Sequence, residues 1–379
     1  MVFSVVRLSG AILLAALVCG APAMLLAADP LLFVSSFAGG ENGAIQAYHF
    51  DSSSGQLKPA ERTGDMANPF FMALSPNGRY LYAIHALSFG GKTEEDVAAY
   101  EILDGNGKLK LLNRQSAKGS AACYLDVDAT GKTVLVANYS TGNAASLPVN
   151  DDGSLQPAAS VHQHADVDAE GKPIGPHAHS IVASPDNRFA LAADLGIDQV
   201  LSYRLDAATG KLSANDPPFA RTAQGAGPRH LTFHPTGNFV YVVNERGNTV
   251  TLFDYATETG QLTKRQTIST LPADFDGKSY TADLKITPDG RFLYATNRGH
   301  DSIAAYELAD NGELTLLEIE PSLGKGPQNL AITPDGKWLL CANMPGNNLL
   351  VFAIDASGKI SPHGEPVVQT SPACIMLLP

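Results

Sequence analysis

The sequence predicts an all-β fold, a seven-bladed β-propeller with four antiparallel strands per blade, and three observations carry that prediction. A unit of about fifty residues recurs six times, each copy reads as short apolar strands between tight turns, and the two ends hold complementary parts of a seventh copy. The copies are SPNGRYLYAIH from Ser75, DATGKTVLVAN from Asp128, SPDNRFALAAD from Ser184, HPTGNFVYVVN from His234, TPDGRFLYATN from Thr287 and TPDGKWLLCAN from Thr333. Their starts lie 53, 56, 50, 53 and 46 residues apart.

In chain order, residues 1–28 read as a signal peptide. Arg7 is followed by an apolar run from Leu8 to Val18 and by small residues around Ala21 to Ala28, with cleavage after Ala28 favoured over Ala23. The run is short for a bilayer span, and bulky Val18 before Cys19 argues against lipid attachment. Residues 29–379 form the expected propeller domain, with no second apolar segment of spanning length. The mature protein is therefore expected to be soluble, free of the membrane after leader removal, and periplasmic or secreted.

Within a complete unit, an apolar stretch leads to a Pro-Asp/Asn-Gly turn, whose Gly or Asn tolerates the positive φ of a tight hairpin. A strand such as Phe239 to Val243 follows, then a turn near Arg246-Gly247, a strand such as Val250 to Tyr255, and a Thr-Gly-x-Leu turn into a weaker fourth strand. Residues Leu31 to Leu57 carry only the later part of this unit, and Ser371 to Leu378 only the early part. Joined, they make one blade from both termini and remove the open sheet edges. The inner strands are then NPFFMAL, AACYLDV, AHSIVAS, PRHLTFH, TADLKIT, PQNLAIT and SPACIML.

Composition narrows the function classes. A net charge of −12 with 26 Lys and Arg lacks the basic footprint of a nucleic-acid binder. Once Cys19 leaves with the leader, Cys123, Cys341 and Cys374 remain, an odd number without a CxxC pair, and they read as small buried hydrophobes.

Candidate site residues come from register. Seven residues beyond each turn anchor stand His85, Asn138, Asp194, Asn244, Asn297 and Asn343, types that also read as turn-forming framework. The next position holds Ala86, Tyr139, Leu195, Glu245, Arg298 and Met344, which places opposite charges in adjacent blades. The matching column of the inner strands reads Phe70, Cys123, His179, Arg229, Ala282, Gln328 and Ala373. Because the start of an inner strand lies beside the end of its antiparallel neighbour, His179, Arg229, Glu245 and Arg298 should meet at one mouth of the central channel. Strand alternation puts His177 on the face of His179 and points His230 elsewhere. A metal site from His162, His164, His177 and His179 is disfavoured, because the loop from Val161 to Gly175 shows no helical or hairpin spacing that would fix ligands.

GAGPRHLTFHPTGNFVYVVNE from Gly225, PHAHSIVASPDNRF from Pro176, ISTLPADF from Ile268 and ADLKITPDGRFLYATNRGHDSI from Ala282 closely resemble the seven-bladed propeller lactonase family. That family includes propeller-type 6-phosphogluconolactonases and fungal carboxymuconate lactonizing enzyme. The resemblance spans essentially the whole mature chain and implies a catalytic set of His179, Arg229, Glu245 and Arg298, matched to PHAHS, GPRH, VNE and TNRG.

The expected function is hydrolysis of a sugar-acid lactone without a cofactor or metal, by a monomer whose partner is a small lactone or sugar acid. His177, His230, Asn138, Tyr139, Asn297 and Gln328 are expected to contact the substrate. The arginines would hold an anionic group and the developing oxyanion, and His179 or Glu245 would activate water, imidazole being the first choice for the base. Export favours an unphosphorylated substrate. A muconate-type lactonizing cycloisomerase and a non-catalytic periplasmic binding propeller stay open as alternatives, and a quinone-dependent dehydrogenase is the weakest of them.

Overall fold

Each repeat folds where its turn chemistry dictates. In a computed structural model that describes residues 1, 2, 4, 30–86 and 91–378, the Ser or Thr opening the turn bridges its hairpin. Thr287 Oγ1 donates to Asp289 Oδ1 at 2.6 Å and accepts from the Phe292 amide at 3.0 Å, and Gly290 takes φ +75°. Ser75 and Thr333 make the same pair of bonds. Asn187 adopts φ +59° where the other copies have glycine. Apart from residues 1, 2 and 4, the expected leader lies outside the described residues.

Seven four-stranded antiparallel sheets result, with innermost strands Pro69–Leu74, Ala122–Val127, Ala178–Ala183, Pro228–Phe233, Tyr280–Ile286, Pro327–Ile332 and Pro372–Leu377, numbered here as blades I to VII. In blade VII the last strand of the chain pairs with Leu31–Ser36, followed outward by Ala44–Asp51 and Gln56–Thr63. The ring thus closes as the two partial repeats require. Among the described residues the helical content is one short 3-10 turn, Gly40–Asn42.

The core lies between blades as layers of apolar side chains, for example Tyr241, Leu252, Leu284 and Tyr306 between IV and V. An aromatic residue opening the second strand of one blade covers an outer-turn glycine of the next. A Cβ on Gly260 would stand 2.4 Å from Phe189, and one on Gly358 2.1 Å from Phe292. Tyr241 and Tyr294 add hydroxyl bonds to the carbonyls of Gly312 and Gly358, at 2.7 and 2.9 Å. Blades are therefore stapled pairwise by packing and by single hydrogen bonds.

Two features depart from the sequence reading. The segment from Val161 to Gly175 does contain a hairpin: Ser160–Gln163 is the outer strand of blade II, and Asp166–Val167 pairs with Pro173–Ile174. Its turn is closed by Asp168, which accepts from the amides of Glu170 and Lys172, with Gly171 at φ +79°. Secondly, every innermost strand slips register by one residue near its start, for instance between Ala178 and Ser180 and between Pro228 and Leu231. The same β-bulge recurs in all seven blades.

Candidate active site

The repeated bulge builds the site. Phe70, Cys123, His179, Arg229, Ala282, Gln328 and Ala373 all fall within the slipped segments. An extra residue re-aims its side chain out of the regular alternation. The second column is placed by another repeated feature. The amides of Tyr139, Leu195, Glu245 and Met344 donate to Ala121, His177, Gly227 and Gly326, just before or at the start of the inner strand. Arg298 stands opposite Tyr280 in the ladder of blade V. Both columns therefore meet at one end of the channel.

There, Glu245 joins two guanidinium groups. Its Oε2 accepts from Arg229 Nε at 2.9 Å and from Arg298 Nη2 at 2.7 Å. Arg229 is deep, its side chain 3% exposed, whereas Arg298 is 27% exposed at the rim and also reaches Gln328 Oε1 at 3.5 Å. Phe70, Tyr139, His179 and Met344 complete the wall of a cavity of about 320 Å³. A second cavity of about 590 Å³ shares Glu245, Arg298, Gln328 and Met344 and extends over Lys278, Tyr280 and Lys325.

Electrostatics set the protonation states. Burial, and then the charge of Arg298, push Arg229 down to about 10 against the pull of Glu245, so it stays a cation at neutral pH. Burial, then Arg229 and His230, hold His179 well below the usual imidazole range, so it is neutral. Its Nδ1 lies 3.6 Å from Cys123 Sγ, and its side chain lines the cavity. The Cys123 thiol is pushed up by burial and remains protonated. Tyr139 packs edge-on to His179, with ring centres 5.5 Å apart.

The remaining expected contacts divide. Gln328 and Tyr139 line the cavity. His177 stands behind Tyr139, stacked on its ring at 4.5 Å with Nδ1 3.0 Å from its carbonyl. Asn138 and Asn297 are fully buried and donate to the carbonyls of Ala117 and Thr270, so they are framework rather than substrate contacts. His162 and His164 engage Leu212 O and Asp194 and do not converge with His177 and His179. Among the described residues no group of three or more His, Cys, Asp or Glu could hold a metal ion.

His230 corrects the alternation argument. The bulge lets consecutive residues both face the axis, and the His230 ring lies 5.4 Å from that of His179 with Nε2 3.0 Å from Arg229 Nη1. Asp283, its partner in blade V, falls outside the two register columns that single out the other site residues. The signal was available: one place beyond the bulge column the sequence reads Phe71, Tyr124, Ser180, His230, Asp283, Asn329 and Cys374, again with ionisable groups in adjacent blades.

A neutral imidazole, a carboxylate and two guanidinium groups around one concave mouth define a propeller enzyme that acts on a small oxygen-rich or anionic ligand. The chain belongs to the seven-bladed β-propeller lactonase family, whose profile matches residues 31–377. It is 32% identical to a 6-phosphogluconolactonase of Bacillus subtilis over 91% of this chain and 97% of that one. Among solved structures, a periplasmic gluconolactonase of Pseudomonas aeruginosa is 33% identical with a TM-score of 0.84, over 92% of this chain and 99% of the other. A structure described as a putative 6-phosphogluconolactonase of Bacteroides fragilis is 30% identical, also with a TM-score of 0.84, over 95% and 100% of the two chains.

Proposed function

We propose that this protein hydrolyses the lactone of a sugar acid in an extracytoplasmic compartment, with an unphosphorylated gluconolactone-type compound as substrate. The observation that carries this reading is the Arg229–Glu245–Arg298 bridge facing neutral His179 across one cavity. The leader-like residues 1–28 and the likeness to a periplasmic gluconolactonase support the compartment and the absence of a phosphate.

In the proposed reaction, His179 Nε2 takes a proton from water as its oxygen attacks the lactone carbonyl carbon. Negative charge then develops on the carbonyl oxygen, where Arg229 and Arg298 supply donors that are already oriented. Collapse of the adduct breaks the ring C–O bond, and the imidazolium returns its proton to the leaving alkoxide. The cost of protonating His179 beside two cations is offset by the simultaneous build-up of negative charge next to them. Glu245 holds both guanidinium groups, and the oxygen that would take a proton is already engaged by the two of them.

The test is a panel of aldonolactones, with and without a 6-phosphate, on the mature protein. Arg229→Ala and His179→Ala are expected to fall to the spontaneous hydrolysis rate while keeping the β-sheet circular dichroism, and Arg298→Ala to raise KM. Retention of full activity by the His179 and Arg229 variants would remove the mechanism. Lactone formation from an open muconate-type diacid would replace it with a cycloisomerase.

A further inference from the structure

The site described so far leaves unexplained why a buried carboxylate and a buried imidazole stand beneath Arg229. Asp283 is 1% exposed, and its two oxygens are used unequally. Oδ2 accepts from Lys285 Nζ at 2.7 Å, Asn329 Nδ2 at 2.7 Å and the Leu330 amide at 2.9 Å. Oδ1 faces only His230 Nδ1, at 2.9 Å. An ionised carboxylate accepts and cannot donate, so the Nδ1 proton belongs to His230. Its Nε2 is then a bare lone pair, and Arg229 Nη1 lies 3.0 Å from it.

The imidazole cannot turn away from this arrangement. Edge-on contacts with Tyr124 at 4.8 Å, Phe71 at 5.6 Å and His179 at 5.4 Å hold its ring on several sides. Protonation states agree with the hydrogen bonds. Burial, then Arg229, push His230 down to about 3, so the ring is neutral. Burial favours the protonated acid of Asp283, but Lys285 and the bond from His230 outweigh it and hold the group below the usual carboxylate range. Two further acceptors fix the same guanidinium, Glu245 through Nε and the Ala282 carbonyl through Nη1. Of its three nitrogens, Nη2 alone has no partner among the described residues and remains for a ligand.

We propose that Asp283 is a positioning residue, which sets the tautomer of His230 so that Nε2 accepts from Arg229 and aims the free edge of that guanidinium into the cavity. The proposal rests on the lactonase reading for its kinetic consequence, but the geometry it asserts is independent of turnover. His230 is thereby a positioning residue as well, not a substrate contact. A relay of bonds runs along the channel axis from Lys285 through Asp283, His230 and Arg229 to Glu245 and Arg298.

The decisive variant is Asp283→Asn in the full-length mature protein. An Asn amide turned toward His230 donates to Nδ1, moves the ring proton to Nε2 and sets it against the N–H of Arg229. Misplacing a catalytic group by about 1 Å costs on the order of 100-fold in rate, so kcat should fall by that factor with KM changed by less than about threefold. Nitrogen-15 NMR of histidine- and arginine-labelled protein should show the His230 proton move from Nδ1 to Nε2 and Arg229 Nε–H exchange faster with water. Should this variant fold poorly, His230→Gln serves in its place. The Gln side chain can both donate to Asp283 and accept from Arg229, and it should recover most of the activity that His230→Ala loses.

An unchanged tautomer and unchanged Arg229 exchange in Asp283→Asn, or, with a lactone that the wild type turns over, His230→Gln no better than His230→Ala, would overturn the proposal. Loss of the lactonase reading alone would look different: the wild type would hydrolyse no lactone above the spontaneous rate, or Arg229→Ala would keep full turnover, while the tautomer and exchange changes of Asp283→Asn would persist.

Discussion

Replacing Glu245 by Gln removes one negative charge from between two positive ones and leaves the shape almost unchanged. A single oxygen holds Arg229 Nε at 2.9 Å and Arg298 Nη2 at 2.7 Å, so the change acts on both contacts at once. Unit charges about 4 Å apart attract by about 4 kcal/mol at the effective dielectric of a protein surface region. The side chain of Glu245 is 20% exposed and that of Arg298 27%, so solvent screens part of this. The Gln carbonyl also keeps both hydrogen bonds. A net loss of about 2–3 kcal/mol remains, below the 3–5 kcal/mol of a fully buried broken pair. For a domain of roughly 350 residues with an unfolding entropy of about 2.1 cal/mol/K per residue, Tm should fall by about 3–4 °C in low salt. Calorimetry in low and high salt checks this, and the gap should narrow as ions screen the paired cations. Gluconate should meanwhile bind about three- to tenfold more tightly, because its carboxylate replaces the missing charge. An unchanged Tm together with unchanged gluconate affinity at low salt would refute the reasoning.

The pH dependence of kcat/KM follows from His179. A base works when deprotonated, and burial with neighbouring cations disfavours its protonated form, so activity should hold through about pH 6–8 and fall only below the ordinary imidazole range near about 6.5. An acid limb centred at that ordinary value would assign the base elsewhere. Deleting Pro372–Leu377 removes the inner strand of blade VII and exposes the edge of Leu31–Ser36, so the truncated chain should elute from a sizing column as aggregates, and a well-folded monomer would contradict ring closure through that strand. Gly358→Ala adds a methyl 2.1 Å from Phe292 Cδ1 at φ +81°, and backbone strain with overpacking should cost about 2–4 kcal/mol, read as a lowered denaturant midpoint.

The fold was legible because a propeller writes the same local rule seven times. Ser/Thr-Pro-Asp-Gly turns and apolar strands recur at readable spacing, and the incomplete ends at Leu31 and Ser371 announce their own closure. Less legible was the packing between blades. The contact of Phe189 with Gly260 joins residues far apart in sequence, and neither residue type signals the other. The hairpin at Asp166–Ile174 leaves little trace in the sequence although Asp168 and Gly171 supply its turn, because two-residue strands carry no periodicity.

The candidate site was half legible, and the β-bulge explains both halves. Counting from turn anchors aligns His179 with Arg229 and Glu245 with Arg298, because every blade carries its slip at the same place and a shared irregularity cancels from the count. Alternation within one strand does not cancel it. Alternation therefore points His230 to the wrong face and gives no hint of Asp283, although the two side chains meet at 2.9 Å. Asn138 and Asn297 show the opposite error. They stand in a column that already reads as turn-forming framework, and burial with bonds to the Ala117 and Thr270 carbonyls gives them that role, as the bond of Asn343 to the Ser322 carbonyl does in blade VI. In a repeat fold, chemistry resides where the repeat is broken: Arg229 and Glu245 stand at positions whose counterparts in blade I are Phe70 and Ala86, and in those two columns only blades III to V carry charge or imidazole.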